Sequence, residues 1–191
     1  MSEVLGVIVA GGAGSRMGTD KALVELGGIT LLRHAARALE AAGLRVIVSG
    51  RSAAPGGYET VPDLTEVQGG GPALGLFSVF RRHRSADLFL VAVDQPLLQP
   101  TTVSQLLQKP GDVVVPVVGQ HPQVTCALYR NGCLRPLEEM LADGVFRLRS
   151  LLPRVSTTRV TEDVWASWGE DGRSWLSLDT PQAVRDAEDL L

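Results

Sequence analysis

Sulfur and aromatic side chains are scarce in this 191-residue chain, which has 2 cysteines, 3 methionines and 5% aromatic residues. Two cysteines make no disulfide framework, and Cys126 and Cys133 offer no Cys/His zinc spacing. They read as two reduced thiols in a cytosolic protein. The three histidines have no mutual spacing that would make a metal cluster. His34 and His83 fall in helical segments and read as structural or solvent-facing, while His121 lies in a loop. No apolar run approaches the ~20 residues of a membrane helix. The start, Met1-Ser2-Glu3-Val4-Leu5-Gly6, lacks the basic opening and long apolar stretch of a signal peptide. A cytoplasmic location without a membrane partner is expected. A net charge of −3 lacks the footprint of a general nucleic-acid binder. Tandem repeats and low-complexity tracts are also missing.

What remains is a composition that folds. At 45% apolar and 20% charged, the chain is not disordered. Its length suits one compact domain of roughly 100–200 residues, with a core of Val, Leu, Ile and Ala. The pattern alternates strand and helix. Val4–Val9 is an apolar run ending in a glycine-rich loop, and the face Leu31, Leu32, Ala35, Ala36, Leu39 predicts a helix over 31–42. Thr30 is placed to cap that helix and Gly43 to stop it. Strands are expected at 44–49 and 59–62, and a helix at 73–82 after Gly69-Gly70-Gly71-Pro72. Residues 87–93 are apolar on both faces, as suits the middle of a parallel sheet covered by helices on each side. A helix at 101–108 follows. Further on, strands are expected at 113–118, 124–129, 155–160 and 175–178. Helices are expected at 134–141 and from Thr180-Pro181 to Leu191. The whole reads as one α/β domain with a mostly parallel sheet. Residues 1–110 form a nucleotide-binding half, and 111–191 add strands and close the site.

The sharpest feature is Val9-Ala10-Gly11-Gly12-Ala13-Gly14-Ser15-Arg16-Met17-Gly18-Thr19-Asp20-Lys21, which follows a strand and precedes a helix. Ligands of open α/β sheets bind there, outside the carboxyl ends of the strands. Glycines let backbone N–H groups approach an anion, and Arg16 and Lys21 add positive charge, so the loop favours a phosphate. It is neither a dinucleotide fingerprint nor a P-loop: Met17 stands where the former needs its third glycine, and Lys21 lies between Asp20 and Ala22. Lys21 and Lys109 are the only lysines beside sixteen arginines. A compact ammonium in this loop acts on a phosphate as a point charge, unlike the planar fork of arginine.

Asp63 and Asp94 each follow a strand candidate and are expected along one rim of the sheet. A carboxylate at that edge facing a triphosphate would hold Mg²⁺, which favours one or two carboxylates plus phosphate oxygens and water. Asp94 is the better placed of the two, although Asp before Gln-Pro also suits a plain turn. Asp179, in Leu178-Asp179-Thr180-Pro181, is either a second metal or nucleotide contact or part of the cap of the last helix.

Read together, these segments resemble the molybdenum cofactor guanylyltransferase family of nucleotidyltransferases, from about Val4 to the final helix. The family's Ala-Gly-Gly-x-x-x-Arg-Met-Gly-x-Asp-Lys signature runs here from Ala10 to Lys21. Ala92-Val93-Asp94-Gln95-Pro96 is similar to Cys-x-Asp-x-Pro without its cysteine. Gly71-Pro72-Ala73-Leu74-Gly75 resembles Gly-Pro-Leu-Ala-Gly with two residues interchanged. Asp179-Thr180-Pro181 is similar to the closing Asn-Thr-Pro, with a carboxylate in place of the amide.

The resemblance implies a Rossmann-like three-layer α/β/α domain of the nucleotidyltransferase type. It also implies transfer of GMP from GTP to the terminal phosphate of molybdenum-molybdopterin, with Mg²⁺ as cofactor and pyrophosphate as by-product. It places Arg16 and Lys21 on the phosphates and Asp94 on the metal. Val9, Ala10, Gly11, Gly12 and Ser49 would lie on the nucleotide, and Asp63 on base or ribose. Transient contacts with molybdopterin-delivering proteins and with molybdoenzymes are implied as well. For the pterin, residues 120–125 and Arg147-Leu148-Arg149 are suspects, though two arginines also suit a solvated face. The nearest rival transfers CMP from CTP. Its relatives show Thr-Ala-Ala-Gly and Gly-Asp-Met-Pro where this chain has Val-Ala-Gly-Gly and Val-Asp-Gln-Pro, and Gly11 in place of Ala leaves more room for guanine. A non-catalytic nucleotide-binding adaptor of the same fold is the reading from another class; degenerate members should lose Lys21 or Asp94, and both are present.

Overall fold

A computed structural model describes residues 2–11, 20–65 and 70–191. Strand β1 (Val4–Val9) leads through the glycine-rich segment to a 3₁₀ turn (Lys21–Leu23) and a small hairpin, β2 (Glu25–Leu26) and β3 (Ile29–Thr30). Gly27 and Gly28, at φ 57° and 75°, make the reversal that residues with a Cβ resist. Helix α1 (Leu31–Ala41) starts where the Thr30 hydroxyl accepts from Arg33 N at 3.3 Å, and the chain turns away at Gly43 with φ 81°. Then come β4 (Arg45–Ser49), β5 (Glu59–Val61), α2 (Pro72–Arg82), β6 (Asp87–Ala92) and α3 (Pro100–Leu107). The later part holds β7 (Val113–Val118), β8 (His121–Pro122), β9 (Cys126–Tyr129), α4 (Leu134–Ala142), a 3₁₀ segment (Leu148–Arg154), β10 (Thr157–Val160), α5 (Glu162–Ala166) and α6 (Pro181–Glu188).

The main sheet has eight strands in the order β10-β7-β9-β6-β1-β4-β5, with β8 paired to β7. Strands β5, β4, β1 and β6 are mutually parallel, as are β7 and β10. Strand β9 runs antiparallel to both β6 and β7. Helices cover both faces. On one, Leu5, Val7, Leu88 and Leu90 pack against α2, α4 and the 148–154 segment. On the other, Ile8, Val48, Phe89 and Val91 meet α1, α3 and α5. Gly6 faces this second layer because a Cβ there would lie 2.9 Å from Leu39 Cδ1 of α1. A third cluster joins Leu26, Leu31 and Leu97 to Leu178, Val184 and Ala187, and so seats α6 on the hairpin.

The expected α/β sandwich is observed, with the β2–β3 hairpin, β8 and α5 added and two expectations altered. The 124–129 segment forms β9 but reverses direction, which an apolar run cannot specify. Residues 175–178 are not a strand: Arg173–Trp175 is a 3₁₀ turn, and Leu178 meets the sheet end through one bond, from its N–H to Asp94 O at 2.7 Å. No helix among the described residues is long and apolar enough to cross a membrane.

Candidate active site

The carboxyl ends of four parallel strands lie in one row. Val9 is in register with Ser49 and with Ala92, and Ser49 with Val61. Asp63 and Asp94 each stand two residues beyond these ends, so both carboxylates reach the same rim. The chain reverses direction across the sheet between β1 and β6, the position where open α/β sheets leave a crevice. A turn after β6 fixes Asp94: Gln95 N donates to Ala92 O at 3.0 Å, and Val93 N to Val9 O at 3.1 Å.

Lys21 occupies the centre of the site. Its Nζ donates to Asp94 Oδ2 at 2.9 Å and also to Asp179 Oδ1. Burial by itself would lower the Lys21 ammonium, but its hydrogen bonds to Asp179 and Asp94 and their charges outweigh this and raise it. The ammonium therefore stays charged. Asp179 is delivered from the other end of the chain by the Leu178–Asp94 backbone bond, and Ser177 Oγ donates to its Oδ2 at 3.1 Å. The cap of α6 belongs to Thr180, whose Oγ1 accepts from Ala183 N at 3.1 Å. Asp179 therefore does not make the cap, and its carboxylate is turned to Lys21 instead. Two carboxylates thus converge on one cation. Among the described residues no group of three or more His, Cys, Asp or Glu could hold a metal ion. A pair suits Mg²⁺, which takes its remaining ligands from phosphate and water.

A second polar cluster lies behind the rim. Ser49 Oγ and Asp63 Oδ1 are buried without a hydrogen-bond partner among the described residues. Both lie beside Gly75 in the first turns of α2, where a Cβ would stand 2.8 Å from Ser49 Oγ and 3.7 Å from Asp63 Oδ1. Burial raises the Asp63 carboxyl above its ordinary value. Unsatisfied buried polar atoms at a sheet edge are the kind of feature a ligand completes.

The structure thus brings Val9, Ala10, Gly11, Ser49, Asp63, Lys21, Asp94 and Asp179 to one end of the sheet. Gly12 and Arg16 lie outside the described residues. Arg147 and Arg149 are exposed at the start of the 148–154 segment. Cys126 and Cys133 are buried and free; burial raises both thiols, Cys133 to about 12, so neither is a nucleophile here. His34 serves the fold, its Nε2 2.8 Å from Leu26 O. Sequence reasoning missed the placement of Gly75 beside Ser49 and Asp63, and the pairing of Arg51 with Asp20. Gly75 was visible within the Gly-Pro segment, but its service to Ser49 depends on how α2 packs. Arg51, in an apparently ordinary loop, gave no signal.

A family model for the MobA-like NTP transferase domain matches residues 6–159. The chain is 33% identical over 186 residues to a probable molybdenum cofactor guanylyltransferase of Pelotomaculum thermopropionicum, covering 95% of this chain and 90% of that one. It is 29% identical to a protein of the same description from Chloroflexus aggregans, with 94% and 91% covered. Among solved structures it resembles molybdopterin-guanine dinucleotide biosynthesis protein A from Archaeoglobus fulgidus, with TM-score 0.81, 20% identity and 97% of each chain covered. It also resembles 2-C-methyl-D-erythritol 4-phosphate cytidylyltransferase from Thermus thermophilus, with TM-score 0.72, 18% identity and 98% of each chain covered.

Proposed function

The chain belongs to the MobA-like NTP transferase family, and from that membership we propose that it transfers GMP from GTP to the terminal phosphate of molybdenum-molybdopterin. The observation that carries this reading is the ammonium of Lys21 held between Asp94 and Asp179 at the carboxyl edge of the sheet. An oxygen of the substrate phosphate attacks the α-phosphorus of GTP. The bond from the α-phosphorus to the bridging oxygen breaks, and pyrophosphate leaves with that electron pair. No side-chain nucleophile is needed, and catalysis rests on positioning and charge. Lys21 and Arg16 hold the phosphates. Val9, Ala10, Gly11 and Gly12 present backbone to the nucleotide. Ser49 and Asp63, whose buried oxygens await partners, contact base or ribose.

Asp94 and Asp179, which here share the Lys21 ammonium, are the carboxylates that would hold Mg²⁺, with Asp94 as the principal ligand. When bound, the ion neutralises charge on the triphosphate. The 111–191 half is assigned to the pterin, with residues 120–125 and Arg147 and Arg149 as its candidate contacts.

The test is thermal melting with GTP, CTP, ATP, UTP or NAD, each with and without Mg²⁺. It is followed by assay of pyrophosphate release and dinucleotide formation from the pterin substrate. A ligand at 100 times its Kd stabilises by about 2.7 kcal/mol. A GTP shift well above the CTP shift, with GTP-dependent product, is expected. A preference for CTP would replace this reading with cytidylyl transfer. Nucleotide binding without product would replace it with an adaptor role.

A further inference from the structure

Gly11 and Asp20, the described residues at the two ends of the glycine-rich segment, are both held by the turn that follows β4. Gly11 packs on Gly50, where a Cβ on Gly11 would lie 2.8 Å from Gly50 Cα. Gly50 has φ 87° and donates its N–H to Val61 O at 2.9 Å, so this turn is itself tied to β5. The next residue, Arg51, donates from Nη2 to Asp20 Oδ2. The other oxygen of Asp20, Oδ1, accepts from Ala22 N at 3.1 Å and caps the turn that carries Lys21.

The remaining nitrogens of Arg51, Nε and Nη1, are buried and have no hydrogen-bond partner among the described residues. A guanidinium engaged at one nitrogen and desolvated at two is costly for the fold. Its only ion pair among the described residues is with Asp20.

We propose that Arg51 is a positioning residue for triphosphate binding: through Asp20 it fixes the turn that sets Lys21 between Asp94 and Asp179. The inference rests on the assignment of Lys21 to the phosphates. The one side-chain contact Arg51 makes among the described residues is to Asp20, so its action is assigned to Asp20 and not to the nucleotide. Without the pair, Asp20 keeps its bond to Ala22 but loses the anchor to β4, and the turn with Lys21 is no longer tied to the sheet edge.

The experiment measures GTP and guanosine affinities by competition with a fluorescent GTP analogue. It compares the parent with Asp20→Asn, Arg51→Ala, Arg51→Gln, Lys21→Ala and the double variant Lys21→Ala/Arg51→Ala. Asp20→Asn and both Arg51 variants should each weaken GTP about tenfold, the scale of one charged hydrogen bond, and leave guanosine within about twofold. The double variant should be no weaker than Lys21→Ala alone, since residues acting as one unit are not additive. A general loss of folding would lower guanosine affinity as well. Asp20→Asn is isosteric and Arg51→Gln keeps a polar stem without the charge, so both stay informative if Arg51→Ala fails to fold.

Near-parental GTP affinity in Asp20→Asn beside a weakened Arg51→Gln would overturn the proposal in favour of direct contact. Multiplying losses in the double variant would overturn it in favour of independent roles. A parent that binds no GTP, or a Lys21→Ala variant that binds it normally, would instead remove the reading of the site on which the inference stands.

Discussion

The ammonium of Lys21 is a point charge matched to two carboxylates, and its shape matters as much as its sign. Lys21→Ala should lower turnover by at least ~10²-fold, the scale for removing one electrostatic stabiliser. Lys21→Arg should recover little of it, because a planar fork does not occupy the point between Asp94 and Asp179. Steady-state kinetics with GTP checks both. Asp63 carries a different signature. Its carboxyl is raised by burial, so in the folded protein it binds a proton more readily than in the unfolded chain, whose value is near ~4. Stability contributed by this residue is present below the unfolded value and is lost as pH rises through the raised one. Asp63→Asn should therefore melt above the parent at pH 7, and the gap should close as the medium is acidified toward the unfolded value. Melting curves between pH 4 and pH 8 check the sign. The same variant should bind GTP more weakly if Asp63 reads base or ribose.

At the level of elements, the segment before α6 is organised by a buried acid. Glu170 accepts from Thr102 Oγ1 and Ser174 Oγ, each at 2.5 Å, and from Gly172 N at 2.8 Å. These bonds shape the turn that leads to Leu178 and Asp179. Glu170→Ala leaves several buried donors without an acceptor and should cost roughly 3 kcal/mol in denaturant unfolding, with Glu170→Gln recovering part.

The strand expected at 175–178 fails for the same reason: these residues are placed by side-chain anchors and one bond to Asp94, which periodicity does not encode. Strands β1 and β7 and helices α1, α2 and α4 were legible because apolar period, a capping Thr30 and stopping glycines agreed there. The β2–β3 hairpin was not, since two-residue strands show no alternation, although Gly27-Gly28 marks its turn. The candidate site was legible as residue types beyond strand ends: Asp63 and Asp94 follow buried runs, and Lys21 closes the glycine-rich segment. The roles of Gly75 and Arg51 depend on contacts between elements far apart in sequence, where local pattern has nothing to report.

For the molecule as a whole, the same edge of the sheet gathers the start, middle and end of the chain. The hairpin near the start is covered by α6 near the end, with Leu26 and Leu31 packed on Val184 and Ala187. Deleting residues 181–191 uncovers that cluster. It should lower stability by about 2–4 kcal/mol from lost apolar burial, and it should weaken GTP binding because Asp179 loses the helix behind it. Chemical denaturation and nucleotide titration of the shortened chain measure the two effects.

The ion triad also has an order in time. Lys21 finds Asp94 after 73 further residues and Asp179 only after 158. During synthesis, the glycine-rich segment and its lysine emerge long before the second carboxylate exists. In a growing chain Lys21 can meet Asp94 well before Asp179 exists, and the sharing of its ammonium by both carboxylates waits for residue 179. The triad is thus closed by a late segment folding back onto an early one.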